Sequence, residues 1–134
     1  MRFLKKYFAK LYIAICWTLM VLILLSLPGN MLPNEAVFKI PNLDKVVHFC
    51  LFGGFVFLWG LFVNSRKLPA KKNLQVFFIL FLTGSLLGIT MEYVQKYFIP
   101  FRDFELGDII ADLIGSGIAY GIINLTLAEE NNAQ

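Results

Sequence analysis

Four long apolar runs divide the chain, each bounded by a short polar or proline-marked interval. Leu11 to Leu27 carries no charge, and with Tyr7 and Phe8 it reaches the ~20 residues that a bilayer-spanning helix needs. Pro28-Gly29-Asn30 stops it. Residues 28–43 hold Pro28, Pro33 and Pro41, too irregular for a long helix, while Met31, Leu32, Val37, Phe38 and Ile40 suit a loop at the bilayer interface. Asn42 or Asp44 is a fitting N-cap for a second helix over 44–63. A polar turn at 64–73 leads to a third helix, about 74–98, which Pro100 keeps from continuing. The fourth runs from about 106 to 127, and the tail 128–134 is expected to fray. The pattern predicts an all-α fold: an integral membrane four-transmembrane-helix bundle, one domain over 1–134, without repeats or low-complexity tracts.

Composition supports the membrane class. Of 134 residues, 58% are hydrophobic and only 16% charged, and the mean hydropathy is +0.70. A soluble domain needs a solvated face on nearly every helix, and there are too few polar residues here to supply one. A basic start before an apolar run also describes a signal peptide. However, Ser26-Leu27-Pro28-Gly29 is a poor cleavage site, and Ile15 before Cys16 does not fit a lipoprotein signal, so a retained first helix is expected. Cys16 and Cys50 lie inside apolar runs and suggest neither a disulfide nor a metal site.

Charge sets the expected orientation. Arg2, Lys5, Lys6 and Lys10 precede the first run, and Arg66, Lys67, Lys71 and Lys72 fill the 64–73 turn, with no acid beside either group. The positive-inside rule puts both termini and this turn in the cytoplasm, and the other two connections outside. The basic stretches are short and sit where topology needs them, so no nucleic-acid partner is expected.

In that topology three segments deliver polar groups to one outer surface. Asp44 and His48 are i, i+4 on the second helix. Glu92 and Gln95 end the third, Arg102 lies in the turn beyond, and Asp108, Asp112 and Gly115 form one stripe at the start of the fourth. Facing lipid would cost each ionised group a few kcal/mol, so these residues should face the bundle interior or a water-filled notch. Gly84 and Gly88, and Gly117 and Gly121, have GxxxG spacing, which suits packing within the bundle or a homo-oligomer; Gly53, Gly54 and Gly60 lie on the second helix. Phe101, Phe104, Tyr93 and Tyr97 suit an interfacial aromatic belt.

The pattern DK-x-x-HF (Asp44, Lys45, His48, Phe49), E-x-x-Q (Glu92, Gln95), Arg102 and D-x-x-x-D-x-x-G (Asp108, Asp112, Gly115) resembles the VanZ-like family. The resemblance covers roughly Asp44 to Gly121. It implies a small four-helix protein of the bacterial cytoplasmic (inner) membrane, related to glycopeptide resistance and to reduced teicoplanin sensitivity. The family usually has Asn where this chain has Asp112, which adds a potential negative charge here.

Each polar residue also has a bland role. Asp44 fits a helix cap, Lys45 an interfacial anchor, and His48 a structural hydrogen bond to Asp44 or Glu92. Arg102 suits a counter-ion for Asp103, Glu105 or Asp108, or a binder of an incoming anion. Gln95 suits the orienting of neighbours. Three functions follow. In the first, Lys45, Glu92, Gln95, Arg102, Asp108 and Asp112 bind a ligand: a lipid headgroup, a lipid-linked wall precursor or a lipoglycopeptide. In the second, a membrane-embedded hydrolase or transferase uses His48 as base or nucleophile, oriented by Asp44, with Glu92 as a second acid/base. In the third, the cluster only locks the helices together or serves an assembly partner. A divalent ion on His48, Glu92, Asp108 and Asp112 is chemically possible, but a single imidazole is a thin ligand set, and neither metal nor cofactor is expected.

Overall fold

In a computed structural model, residues 7–31, 42–66 and 68–132 are described. They form α1 (Leu11–Leu25), a short 3-10 turn at Gly29–Met31, α2 (Leu43–Ser65), α3 (Ala70–Phe98) and α4 (Leu106–Asn132). All four helices fall where the apolar runs lie. Three segments, Leu43–Ser65, Lys71–Phe98 and Leu106–Thr126, are long and apolar enough to cross a membrane. α1 is shorter than expected: its 15 residues make about 22 Å, short of a ~30 Å hydrocarbon core. Lys10 is extended in front of it, and Ser26 turns behind it, ahead of Pro28.

The other boundaries also moved. α3 begins at Ala70, not near residue 74, because Pro69 takes the N-cap position and Lys72 N and Asn73 N close the first turn on Pro69 O at 2.8 and 3.0 Å. α4 continues to Asn132, past the expected fraying point, through Ala128, Glu129 and Glu130, which favour helix. Asn42 holds the N-cap position of α2 in the left-handed region (φ 62), yet its side chain caps nothing. Asp44 lies inside the first turn and is not the cap. The interfacial loop expected over 28–43 lies outside the described residues from 32 to 41, as do Arg2, Lys5, Lys6 and Lys67.

The burial pattern is inverted relative to a soluble bundle. Ile110, Ile114, Ile118 and Ile122 run along one outward stripe of α4, and Phe78, Ile79, Leu82 and Leu86 are exposed on α3. Glu92, Asp112, Ser116 and Gln95 are fully buried. Large apolar surfaces of this extent mark contact with lipid or partners rather than water.

α2 is the hub, packing most extensively on α4 and also on α3 and α1. Gly53 and Gly115 allow the α2–α4 approach: a Cβ on Gly53 would stand 3.1 Å from Gly115 O, and one on Gly115 would press into the Phe49 carbonyl. Three apolar layers fill the seams. Val21, Leu25, Leu51, Phe52 and Met91 lie toward the polar end, Phe55, Val56 and Ala119 in the middle, and Leu61, Phe77 and Ile123 toward the far turn. Indole N–H groups pin α1 to α2: Trp17 Nε1 donates to Leu51 O at 2.9 Å and Trp59 Nε1 to Thr18 Oγ1 at 3.0 Å. Of the GxxxG pairs, Gly84 meets Val56 and Ser116 and Gly88 meets Asp112, so that pair packs inside the protein. Gly121 has open space and Gly117 only a loose contact with Phe81, so the second pair does not pack within the described bundle.

Candidate functional site

The start of α2, the end of α3 and the start of α4 meet at one end of the bundle, where the 99–105 turn links the last two. Gly29 N donates to Pro100 O at 3.0 Å, which docks the segment after α1 onto that turn. Its backbone approaches Phe101 so closely that any Cβ would clash. Phe101 itself has φ 58, a region side-chain-bearing residues seldom adopt. Asp44 and Asp108 occupy first turns, where the positive ends of α2 and α4 favour negative charge.

His48 is the centre of the cluster and is buried (3% exposed). Its Nδ1 lies 3.1 Å from Asp112 Oδ1. Where Asp112 is ionised its carboxylate only accepts, so Nδ1 carries the proton, and in the neutral ring Nε2 is left with a lone pair. Nε2 faces Asp108 Oδ2 at 3.8 Å and Glu92 Oε1 at 4.0 Å. Glu92 Oε2 accepts from the backbone N–H of Glu105 at 3.0 Å, while Glu92 Oε1 and Asp112 Oδ2 are buried without a hydrogen-bond partner. His48, Glu92 and Asp108 can each turn one ligand atom to a common point, all within 4.8 Å of one another.

Lys45 is the neighbouring cation. Its ammonium lies 2.7 Å from Glu105 Oε2, 2.9 Å from Asp44 Oδ2 and 3.5 Å from Asp108 Oδ1. It is therefore more than a simple interfacial anchor, its ammonium being shared among three carboxylates. This also corrects the expected pairing of His48 with Asp44: Lys45 engages Asp44, and the carboxylate that meets the imidazole is Asp112. Gln95 is buried and donates to Leu25 O at 2.9 Å, tying α3 to the end of α1 and standing apart from the His48 contacts. Arg102 donates through Nε to Leu27 O at 3.4 Å, and no described carboxylate pairs with it, so its expected counter-ion role does not hold. Arg102, Asp44 and His48 line a cavity of about 90 Å³ together with Leu24, Leu25, Val47 and Leu51. That is room for a few waters or one phosphate-sized group, far below the size of a whole ligand. The aromatic residues gather beside the site, with Tyr93 and Phe104 rings 5.4 Å apart and Tyr97 and Phe101 exposed.

Two contributors were not among the expected site residues. Glu105 holds both Glu92 and Lys45, and its carbonyl accepts from Asp108 N at 3.1 Å at the start of α4. Ser116 is fully buried with an unpartnered hydroxyl. Ser116 was within reach of the sequence, since it continues the Asp108, Asp112 series by four residues.

The fold and site define an all-helical protein with three membrane-length apolar helices and a buried acid–histidine cluster at one end. The chain is similar to "Uncharacterized protein C11E3.10" of Schizosaccharomyces pombe (strain 972 / ATCC 24843), 32% identical over 103 residues. The match covers 75% of this chain and 59% of that relative, so this chain spans little more than half of its length. No protein-family model matches the chain. No solved structure matches it.

Proposed function

We propose that this is a multi-pass integral membrane protein that binds the anionic headgroup of a membrane amphiphile at the polar end of its helix bundle. The carrying observation is Arg102, without an acidic partner among the described residues and lining the same small cavity as Asp44 and His48. A guanidinium in that position suits two parallel hydrogen bonds to phosphate or carboxylate. The small cavity fits the charged tip of a ligand whose remainder stays in the bilayer. A separate apolar groove of about 290 Å³, lined by Phe49, Gly53, Gly115 and Ile122, runs along the α2–α4 seam on another face of α2. The VanZ-like residue pattern supports a lipid-linked wall precursor or a lipoglycopeptide as ligand, and an envelope or glycopeptide response in the bacterial inner membrane. α1 is the fourth span in this reading, with both termini and the 64–73 turn cytoplasmic and the cluster outside.

The test is native mass spectrometry of the full chain released from nanodiscs of mixed phosphatidylglycerol and phosphatidylcholine. The wild type is expected to retain the anionic lipid, and Arg102→Ala to retain about tenfold less. Equal retention by both proteins refutes headgroup binding.

A second reading, hydrolysis or group transfer on the same lipid class, is favoured by the Asp112–His48 contact, which leaves Nε2 free to take a proton beside Glu92 and Asp108. Proteoliposomes of a bacterial polar lipid extract test it by lipid mass spectrometry. A headgroup-altered product is expected from the wild type and not from His48→Ala. An unchanged lipid profile with the wild type removes this reading and leaves binding alone.

A further inference from the structure

We infer that His48, Glu92 and Asp108 form a binding site for a divalent transition-metal ion, zinc first, with Asp112 as the residue that orients the imidazole. The inference goes beyond headgroup binding and does not rest on it, because Arg102 is not among the ligands.

The ligand atoms converge from three helices. Nε2 of His48 stands 3.8 Å from Asp108 Oδ2 and 4.0 Å from Glu92 Oε1. These separations are too long for direct hydrogen bonds. With bonds of ~2.1 Å, ligand atoms around a tetrahedral zinc stand about 3.4 Å apart, so bringing each acid onto Nε2 takes about half an ångström, and the Glu92–Asp108 pair, within 4.8 Å, closes by at most about 1.4 Å. Two further observations point to an ion rather than to a polar lock. Glu92 is 0% exposed, and its Oε1, facing the imidazole, has no hydrogen-bond partner. A self-contained lock would satisfy that oxygen, since a buried carboxylate oxygen without a donor is costly. The imidazole, meanwhile, is held as metal ligands are held: Nδ1 bonds a carboxylate at 3.1 Å, which fixes the tautomer and aims the Nε2 lone pair at the other two acids.

Charge agrees with this assignment. Glu92, Asp108 and Asp112 crowd one imidazole, and the neighbouring Lys45 is shared among Asp44, Glu105 and Asp108. A divalent cation would balance carboxylates that the lysine does not reach. The other acidic group, Asp44, Glu105 and Asp108, is no rival, because the Lys45 ammonium already fills its centre. One imidazole and two carboxylates suit zinc or manganese and leave a coordination position for water or a ligand oxygen.

The whole chain in detergent, loaded with zinc or manganese and desalted, is the sample for metal analysis by plasma mass spectrometry and for calorimetric titration. The wild type is expected to keep about one ion per chain. Glu92→Gln and His48→Ala are expected to bind at least about tenfold more weakly, and Arg102→Ala to bind as the wild type does. A wild type that holds neither ion overturns the assignment, as do variants that bind as tightly as the wild type. Because an unfolded variant would also lose the ion, cobalt substitution of the wild type gives an independent readout. Visible d–d bands of a nitrogen–oxygen site and a melting temperature that rises with metal are expected. Absent bands with an unmoved melting temperature overturn it. Loss of lipid but not of metal in Arg102→Ala separates this site from the headgroup site, and a wild type that binds metal but no anionic lipid would leave this site standing and end the headgroup reading.

Discussion

Gly115→Val is expected to destabilise the protein by about 3 kcal/mol, one of two large effects expected from changing buried positions on α4. Position 115 lies where α4 rests on the backbone of α2. A Cβ there would be 3.0 Å from the carbonyl carbon of Phe49 and closer still to its oxygen. A side-chain obstacle could rotate away, but a helix backbone can yield only by moving the whole segment. The seam that would open carries Gly53 against Gly115, and one residue from Phe49 it carries His48 against Asp112. The variant should therefore lose ligand binding together with stability. Reversible unfolding in detergent measures the first effect, with Gly121→Val as the reference, since a Cβ at Gly121 meets nothing within 4 Å. That reference should stay within about 0.5 kcal/mol of the wild type. Equal stability of the two variants would show that the α2–α4 seam does not depend on close backbone approach. A lower oligomeric mass in Gly121→Val alone would identify its open face as a contact between copies.

The second large effect concerns Asp112, and it is a contrast between two substitutions. Asp112→Leu removes the acceptor for His48 Nδ1 and strands a buried imidazole N–H, and leaving a buried donor unsatisfied costs about 1–3 kcal/mol. Asp112→Asn keeps an oxygen to accept from Nδ1 and removes one negative charge from a site crowded with carboxylates. It is expected to lose less than about 1 kcal/mol. Unfolding in the presence of a chelator keeps bound metal out of the comparison. A leucine variant as stable as the wild type would mean that the His48–Asp112 contact contributes nothing to the fold.

Much of the architecture was legible along the chain because a bilayer imposes a simple rule. A membrane segment must be long, apolar and helical, so the charge-free runs mark α2, α3 and α4 directly. Helix ends were less legible. Pro69 starting α3 and the helix continuing through Glu129 and Glu130 depend on local backbone hydrogen bonding, which hydropathy does not register. The site was legible as membership: His48, Glu92, Asp108 and Asp112 stand out because acids and a lone histidine in apolar segments are costly unless they meet. Their partners were not legible. Asp44 and His48 share a helix face at i, i+4, and nothing in that spacing tells that Lys45 takes the acid while the imidazole turns to a residue 64 positions away.

By itself, then, the sequence determined which segments are apolar helices, which polar residues they carry and near which helix end each lies. Those properties follow from local composition and helical periodicity. Only the tertiary structure decided that Asp112 orients His48, that Lys45 is taken up by Asp44 and Glu105, that Gln95 serves α1, and that Arg102 is left open to the cavity. The physical reason is range. A carboxylate's partner is chosen by which side chains three packed helices bring within about 3 Å, and that is set by close approach at glycines such as Gly53 and Gly115, not by separation along the chain.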